Sequence, residues 1–444
     1  MTEIVVNITE EGKTAVAKKK FVSRKDELLV AILSYVFAYF YITIFWYDNK
    51  WPQVLLVAAF VAGTTEYLNR EVSASIESRI WLVCFLAVAV CLTYSAYRAE
   101  AIIDGEHNLF CIVFSTSELM LIVHCYAIWY VLVRSGKLLK GETGSFFPVD
   151  VLNAGIVIPF GNFFLRARTV IWSIGKAIHK RKSEKSGLSL WIIAAIPVCT
   201  LLLVSAIKLL AGADDYFGDM VWKLTDMFTF RLNGELIIRI IFSIPVGMYL
   251  FGLIAGSRRI TRNTIDYKLS GYERVMASMR KIPSGFWIVV ITLFMLVYLA
   301  FFIVQGRYLF GAITGRMPEG FIVSEYARQG FFEMCMVMAV NFALLVLVRI
   351  MTGEDRDSAR AGKRLHVACL MLLAESMLFA VIAFSKLALY ISCFGFTPRR
   401  LQSTWAVCVL FAACAFWMYS MLTDKKVFRN WLYLSTISLT LLCI

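Results

Sequence analysis

The sequence predicts an all-α fold, a polytopic transmembrane helical bundle of about 11 spans, and three observations predict it. Hydrophobic residues make up 59% of the 444-residue chain, against roughly 45–50% in soluble globular proteins. Charged residues fall to 17%, where about 25% is usual. The apolar residues are gathered in runs of about 20, the length that crosses a hydrocarbon core of roughly 30 Å as a helix. A water-soluble fold could not bury so much apolar surface.

These apolar runs give the spans in chain order. Helices are predicted rather than strands, because unpaired backbone groups cannot face lipid and no alternating strand pattern repeats. The predicted spans are 28–47, 51–68, 80–97, 108–133, 188–211, 236–256, 284–304, 329–350, 365–391, 404–422 and 430–444.

The distribution of charge predicts the orientation of the bundle. The net charge is +14, and most Lys and Arg fall in connectors that lie inside the cell if the N-terminus is cytoplasmic. Cytoplasmic loops are enriched in these residues. The chain is therefore expected in the cell membrane, with a cytoplasmic N-terminus and an extracytoplasmic C-terminus. No nucleic-acid partner is predicted, because no compact basic domain is present.

This topology divides the chain into four parts. A cytoplasmic N-terminal segment, 1–27, precedes a four-span bundle, 28–133. A second cytoplasmic segment, 134–187, then leads into a seven-span bundle, 188–444.

The second cytoplasmic segment contains a predicted amphipathic helix at 163–182. One face carries Phe163, Val170, Ile171, Ile174 and Ile178, and the opposite face carries Arg166, Thr169, Ser173, Lys176 and Lys180. A basic amphipathic helix of this kind is typical of an element lying in the headgroup layer. Membrane lipids are accordingly expected partners.

Motifs for catalysis or cofactor binding are not found. The 11 cysteines include no Cys-x-x-Cys pair, and four histidines are present, so metal-ligand spacing is missing. No Gly-rich phosphate loop or nucleophile elbow is visible. No catalytic residue, metal site or cofactor is predicted, and the balance is against an enzyme.

Ionisable residues inside the spans are the first candidates for a site, because they are costly in a bilayer. Glu375 and Lys386 in the ninth span are separated by 11 positions. That spacing places them within about 20° of one helix face and about 16 Å apart along the axis. Phe379, Ile382 and Tyr390 share the face. For Lys386, snorkelling to the outer surface is the alternative.

Other polar and small residues in the spans have simpler interpretations. In the fourth span, Glu118 and His124 point to different faces, and buried hydrogen bonds to other helices are their predicted role. Gly252 and Gly256 are small residues four positions apart, which is typical of a helix-packing surface.

Two predicted outer loops contain further charged residues. In the first, Arg328 lies three positions after Glu325, and Gln329 and Glu333 are spaced i, i+4, so both pairs are within side-chain reach on a helix.

In the second loop, 393–400, Gly395 suits a helix end, and Thr397 with Pro398 suits the start of the next helix. Arg399 and Arg400 lie on the side where positive charge is disfavoured. Either they pair with Glu319, Glu325 or Glu333, or they hold an anionic ligand or lipid headgroup.

At these two loops the chain resembles a family of bacterial polytopic membrane proteins catalogued only as a domain of unknown function. The resemblance lies in three segments: Tyr308-Leu-Phe310, then Glu325-Tyr-Ala-Arg-Gln-Gly-Phe-Phe332, and Leu389-Tyr390 through Gly395, Thr397 and Arg400. It implies a bacterial cytoplasmic-membrane context and no particular activity.

Three functions remain open. The first is binding or transport of a small polar or anionic ligand at the outer ends of spans eight to ten. Its candidate residues are Glu325, Tyr326, Arg328, Glu333, Glu375, Lys386, Tyr390, Arg399 and Arg400. The second is a sensor or accessory partner of a signalling or export system, which would dock a membrane or cytoplasmic protein on 163–182 and 257–283. The third is an interfacial enzyme acting on lipid-linked substrates, since carboxylates and arginines near the interface permit acid–base chemistry.

Overall fold

The fold is taken from a computed structural model. It describes residues 25–45, 51–103, 113–183, 234–305, 323–353 and 359–444, with isolated positions between 199 and 206. Within these ranges all regular secondary structure is helical, apart from one isolated bridge between Ile282 and Thr352. The predicted all-α fold is confirmed. The predicted fifth span, 188–211, lies outside the described residues except at those positions.

Most of the helices follow the apolar runs of the sequence. They are α1 Lys25–Phe45, α2 Trp51–Leu68, α3 Ile76–Ile103, α4 Thr116–Arg134, α5 Phe147–Leu152, α6 Ile158–Gly161, α7 Leu165–Ser183, α8 Gly234–Arg259, α9 Arg262–Met279, α10 Ser284–Gln305, α11 Val323–Met351, α12 Ala359–Phe394, α13 Pro398–Thr423 and α14 Phe428–Cys443.

Among the described residues, 9 helical segments are long and apolar enough to cross a membrane. Eight of them correspond to predicted spans, and the predicted second span is the shorter apolar helix Pro52–Leu68. The ninth segment, Phe147–Lys176, falls where the sequence predicted a cytoplasmic connector.

The segment 147–183 is an interrupted helix. A π-helical turn, Asn153–Val157, separates α5 from α6, and α7 begins after a break at Asn162. The Phe147 ring packs on Trp129, near the end of α4. At the break before α7, Asn162 packs on Gly256, near the end of α8.

Ion pairs show that the ends of α4 and α8 lie at one end of the bundle. Arg258, near the end of α8, pairs with Asp26 at the start of α1 at 2.8 Å, and its second pairing is with Glu71 after α2. Arg134, at the end of α4, pairs with Glu66 near the end of α2 at 2.8 Å. We call this the Arg258 end. The segment from Phe147 to Asn162 therefore has both its limits at this end.

The opposite end of the bundle is marked by Gln402 in the first turns of α13. Its amide donates to the Val113 carbonyl at 2.8 Å and to Glu118 at 3.3 Å, beside the start of α4. We call this the Gln402 end. Both contacts join helix starts that the predicted topology places on one side of the membrane.

The buried apolar residues form two main clusters. The first contains residues of α1 to α4 and α8, and Leu432 of α14 belongs to it. The second is built by α10, α11, α12 and α13. The C-terminal helix α14 thus packs back on the first cluster, where Tyr126 donates to the Thr436 carbonyl at 3.1 Å. The predicted boundaries 28–133, 134–187 and 188–444 divide the chain by sequence order, whereas these clusters group helices by contact.

The outer face of α7 is apolar. Thr169 is buried, and Arg166 donates to the Ala31 carbonyl at 2.9 Å. Ile171 and Ile174 point away from the protein and are exposed. The polar face therefore contacts α1, and the apolar face is available to lipid.

Two glycines of α8 allow the close approach of the segment around Pro159. The Cβ atom of an alanine at Gly252 would lie 2.6 Å from the Pro159 carbonyl oxygen, and one at Gly256 would overlap the Asn162 side chain. The predicted helix-packing role of this pair is confirmed.

We predict that Gly252→Ala lowers the free energy of unfolding by about 1–3 kcal/mol, because the backbone at Pro159 has to move. The matched control is Gly63→Ala in α2, where an added Cβ meets no heavy atom within 4 Å. That change should be neutral or stabilise by up to about 1 kcal/mol through helix propensity. Thermal unfolding in detergent measures both, and equal effects would contradict the close contact.

The orientation of the bundle stays a prediction, and Cys393 provides its test. This cysteine is exposed in the last turn of α12, at the Gln402 end. We expect a membrane-impermeant maleimide to label it on intact cells, with the label lost in Cys393→Ser. A cysteine introduced by Ser270→Cys in α9 of the Cys393→Ser protein should label only after permeabilisation. The reverse pattern would invert the topology.

Candidate functional site

A chain of hydrogen bonds crosses the second cluster of helices. The Tyr298 hydroxyl of α10 donates to Asn341 Oδ1 of α11 at 2.6 Å, and Asn341 Nδ2 donates to Ser376 Oγ of α12 at 2.9 Å. Asn341 is 0% exposed, and the other two residues are buried. Ser376 Oγ in turn donates to the Leu372 carbonyl. The three helices are thus joined by polar contacts midway along their length.

Glu375 lies beside this chain of hydrogen bonds. It precedes Ser376 in α12 and is close enough to Tyr298 to interact with it electrostatically. Its Oε2 atom is buried and has no hydrogen-bond partner among the described residues. Ser385 Oγ, ten positions further along α12, is also buried without a hydrogen-bond partner among the described residues.

Aromatic rings fill the helix face between Glu375 and Lys386. Phe379 is buried and contacts Tyr298 and Phe302, with ring centroids 4.9 Å apart in each case. Ile382 on the same face is also buried. The predicted common face of α12 therefore carries two ionisable groups separated by an apolar layer.

Lys386 is held against the neighbouring helix α11. It is 9% exposed, and its amine lies so close to Gly330 that an alanine Cβ there would overlap it. The charge of Glu333, on the same part of α11, acts on this amine. Glu333 also accepts a hydrogen bond from Gln329 at 2.9 Å, as the i, i+4 spacing predicted. The Lys386 amine is thus buried against α11, whereas the snorkelling alternative placed it at the outer surface.

The Arg400 side chain packs against the last turns of α12. Its guanidinium lies over the Tyr390 ring, with Cζ 4.2 Å from the centroid. It donates to the carbonyls of Phe394, at 2.7 Å, and Gly395. Gly395 has a φ of 75°, which only glycine adopts without strain. The predicted turn at Gly395 and the predicted start of α13 at Pro398 are confirmed.

Arg399 faces a different neighbour. It is exposed, and its charge acts on Glu118 of α4. Glu118 and Ser115 form a capping box at the start of α4, and Gln402 donates to the same carboxylate. Glu118 therefore joins α13 to the first group of helices.

His124, the other polar residue predicted in this span, has a structural role. Its Nδ1 atom forms a 2.9 Å hydrogen bond with the Tyr41 hydroxyl of α1. The predicted buried contact to another helix is confirmed.

The candidate residues thus fall into four local groups instead of one. Lys386 and Glu333 meet at Gly330, Tyr390 meets Arg400, Arg399 acts on Glu118, and Glu375 lies with the buried hydrogen bonds. Arg328 is exposed on α11. The side chains of Glu325 and Tyr326, and all of Glu319, lie outside the described residues.

Sequence reasoning missed Tyr298, Asn341 and Ser376. One signal could have found Asn341, because an amide within the apolar run 334–348 is a costly group that needs partners. Tyr298 and Ser376 carry no comparable signal, since both residue types occur often in membrane helices.

These helices define a multi-pass α-helical membrane protein. The chain belongs to the family described as Domain of unknown function (DUF4153), which matches residues 29–444. The predicted membership of an uncharacterised family is therefore confirmed. No curated protein matches the chain, and no solved structure matches it.

We predict that Tyr298→Phe lowers the free energy of unfolding by about 1–3 kcal/mol, because Asn341 Oδ1 would lose its buried donor. The matched control is Tyr267→Phe in α9, where the tyrosine is 74% exposed and water replaces any lost contact. Thermal unfolding in detergent compares the two. A Tyr298→Phe protein as stable as the control would show that the hydrogen bond contributes nothing.

Proposed function

We propose that α10 to α13 bind and transport a small polar or anionic solute along the Glu375–Lys386 face of α12. The observation that supports this proposal is Glu375 Oε2, a buried carboxylate oxygen on this face that has no hydrogen-bond partner among the described residues.

Such atoms are expensive inside a membrane protein. An unsatisfied buried polar group costs about 1–3 kcal/mol, and more if it is charged. Polar groups retained at this cost within the bilayer usually mark the path of a substrate or ion. A solute carrying a hydroxyl or amine donor would satisfy this oxygen, which favours a polar ligand over an apolar one.

The Gln402 end of this face favours anions. Lys386 lies eight residues before the end of the 36-residue helix α12, and the exposed cations Arg328 and Arg399 belong to the same end of the bundle. Clustered positive charge raises the local concentration of anions. The charge of Glu333 acts on this amine and moderates the field. Lys386 is therefore the proposed first contact of an anionic solute.

Phe379 and its neighbours form the barrier in this scheme. Rings of Phe301 and Phe302 from α10 close around Phe379 between the two polar positions. Apolar constrictions of this kind gate by excluding water. Transport then requires α10 to move relative to α12, so that the solute passes from Lys386 to Glu375.

The proposal is tested with purified protein and named solutes. Inorganic phosphate, citrate, glutamate and gluconate are screened by thermal shift, and the solute with the largest shift is taken into uptake assays in proteoliposomes. We expect Lys386→Gln to weaken binding at least tenfold, because it removes the anion contact. Glu375→Gln should keep most of the binding at the Gln402 end but reduce uptake at least tenfold.

The matched control is Lys425→Gln, which removes an exposed charge beyond α13 at the Arg258 end. It should leave both binding and uptake unchanged. The transport proposal is wrong if Glu375→Gln is as stable and as active as the parent protein. The binding proposal is wrong if Lys386→Gln and Lys425→Gln behave alike.

A further inference from the structure

A second candidate site lies at the Arg258 end of α11, α12 and α13. A cavity of about 310 Å³ opens between the end of α11, the first turns of α12 and the last turns of α13. This volume falls at the lower limit of small-molecule sites, which range from about 300 to 1,000 Å³. The cavity is separate from the Glu375–Lys386 face and plays no part in the proposed transport.

The wall of the cavity is amphipathic. Leu345, Leu365 and Cys369 are buried and form its apolar part. Arg349 and His366 line it as well and are exposed, so their polar groups lie at the mouth. A ligand that fills this cavity therefore combines an apolar body with a polar or anionic head.

The charge around the mouth indicates an anionic head. Among the described residues at this end of the three helices, exposed cations outnumber acidic groups. The cations next to the cavity are Arg360, Lys363, Arg364, Lys425 and Lys426. The described acidic residue at this end of the three helices is Asp424, directly after α13. The connector 354–358 adds three carboxylates and one arginine in the sequence, so the charge at this end stays net positive. The guanidinium of Arg349 can bind a phosphate group through two parallel hydrogen bonds.

The surroundings of the cavity indicate that the ligand comes from the bilayer. Val346, Leu347 and Val367 are next to lining residues, and all three are exposed apolar side chains. In a membrane-spanning bundle such side chains face lipid. Trp417 lines the cavity itself, and tryptophan is enriched where membrane helices meet the headgroups. A lipid acyl chain can reach this cavity without crossing water.

We propose that this cavity binds an anionic phospholipid, with an acyl chain against Leu345 and Leu365 and the phosphate at Arg349 and His366. Basic pockets between transmembrane helices commonly hold anionic headgroups in this manner. The bound lipid would join α11, α12 and α13 at the end opposite to Lys386.

The test uses the full-length protein and native mass spectrometry. Dioleoyl phosphatidylglycerol and dioleoyl phosphatidylcholine are titrated separately, since they share acyl chains and differ in net charge. We expect the first phosphatidylglycerol to bind at least tenfold more tightly. Arg349→Gln should remove most of this preference, whereas Arg274→Gln, an exposed arginine of α9 at the same end, should not change it.

A second variant tests the cavity without altering charge. An added Cβ at Gly362 meets no heavy atom within 4 Å, and Gly362 lines the cavity, so we expect Gly362→Leu to fill part of the space. It should weaken phosphatidylglycerol binding about tenfold. Lys386→Gln should leave lipid binding unchanged, which separates this inference from the proposed transport.

Three outcomes would overturn the proposal. The first is equal binding of the two lipids by the parent protein. The second is a preference that survives both Arg349→Gln and Gly362→Leu. The third is full displacement of phosphatidylglycerol by glycerol phosphate at equal concentration, because the acyl chain would then contribute nothing and the ligand would be a soluble phosphate.

Discussion

A polar group inside a lipid-embedded helix has to be satisfied by another part of the protein, and the architecture of this chain follows from that constraint. Water is missing from the hydrocarbon core, so an unpaired donor or acceptor there costs several kcal/mol. His124 illustrates the solution, because its Nδ1 atom forms a hydrogen bond with the Tyr41 hydroxyl of α1 at 2.9 Å. Contacts of this type determine which helices are neighbours and where each helix lies along the axis of the bundle.

The same constraint makes the exceptions informative. Most buried polar side chains of the second helix group are satisfied, as the contacts from Tyr298 to Asn341 and on to Ser376 show. Glu375 Oε2 lies beside them without a described partner. An unpaired buried oxygen beside hydrogen-bonded neighbours is the strongest indication of a ligand in the described part of this bundle.

Helix α12 connects the two proposed sites. Glu375 and Lys386 occupy its middle and its Gln402 end, while Leu365, His366 and Cys369 line the cavity at its Arg258 end. At 36 residues it is the longest helix in the described part of the chain, and it packs on α10, α11 and α13. Because one continuous helix carries both sites, a lipid at one end could restrict the movement that solute transport requires at the other.

The sequence alone predicted features that depend on local chemistry. The predicted span 51–68 matches α2, since the length of an apolar run sets the length of a crossing helix. The turn from Gly395 to Pro398 followed from the backbone preferences of these two residues. The shared face of Glu375 and Lys386 followed from helical periodicity. Each of these predictions needed information from one short stretch of chain.

Only the tertiary structure decided which side chains meet. Tyr298, Asn341 and Ser376 are separated by 43 and 35 positions along the chain, so no periodicity links them. The predicted outer cluster divides because Arg400 contacts Tyr390 and the carbonyls of its own turn, while the charge of Arg399 acts on Glu118 of α4. Hydropathy records the preference of each segment for lipid, but the rotation and height of each helix come from packing against its neighbours.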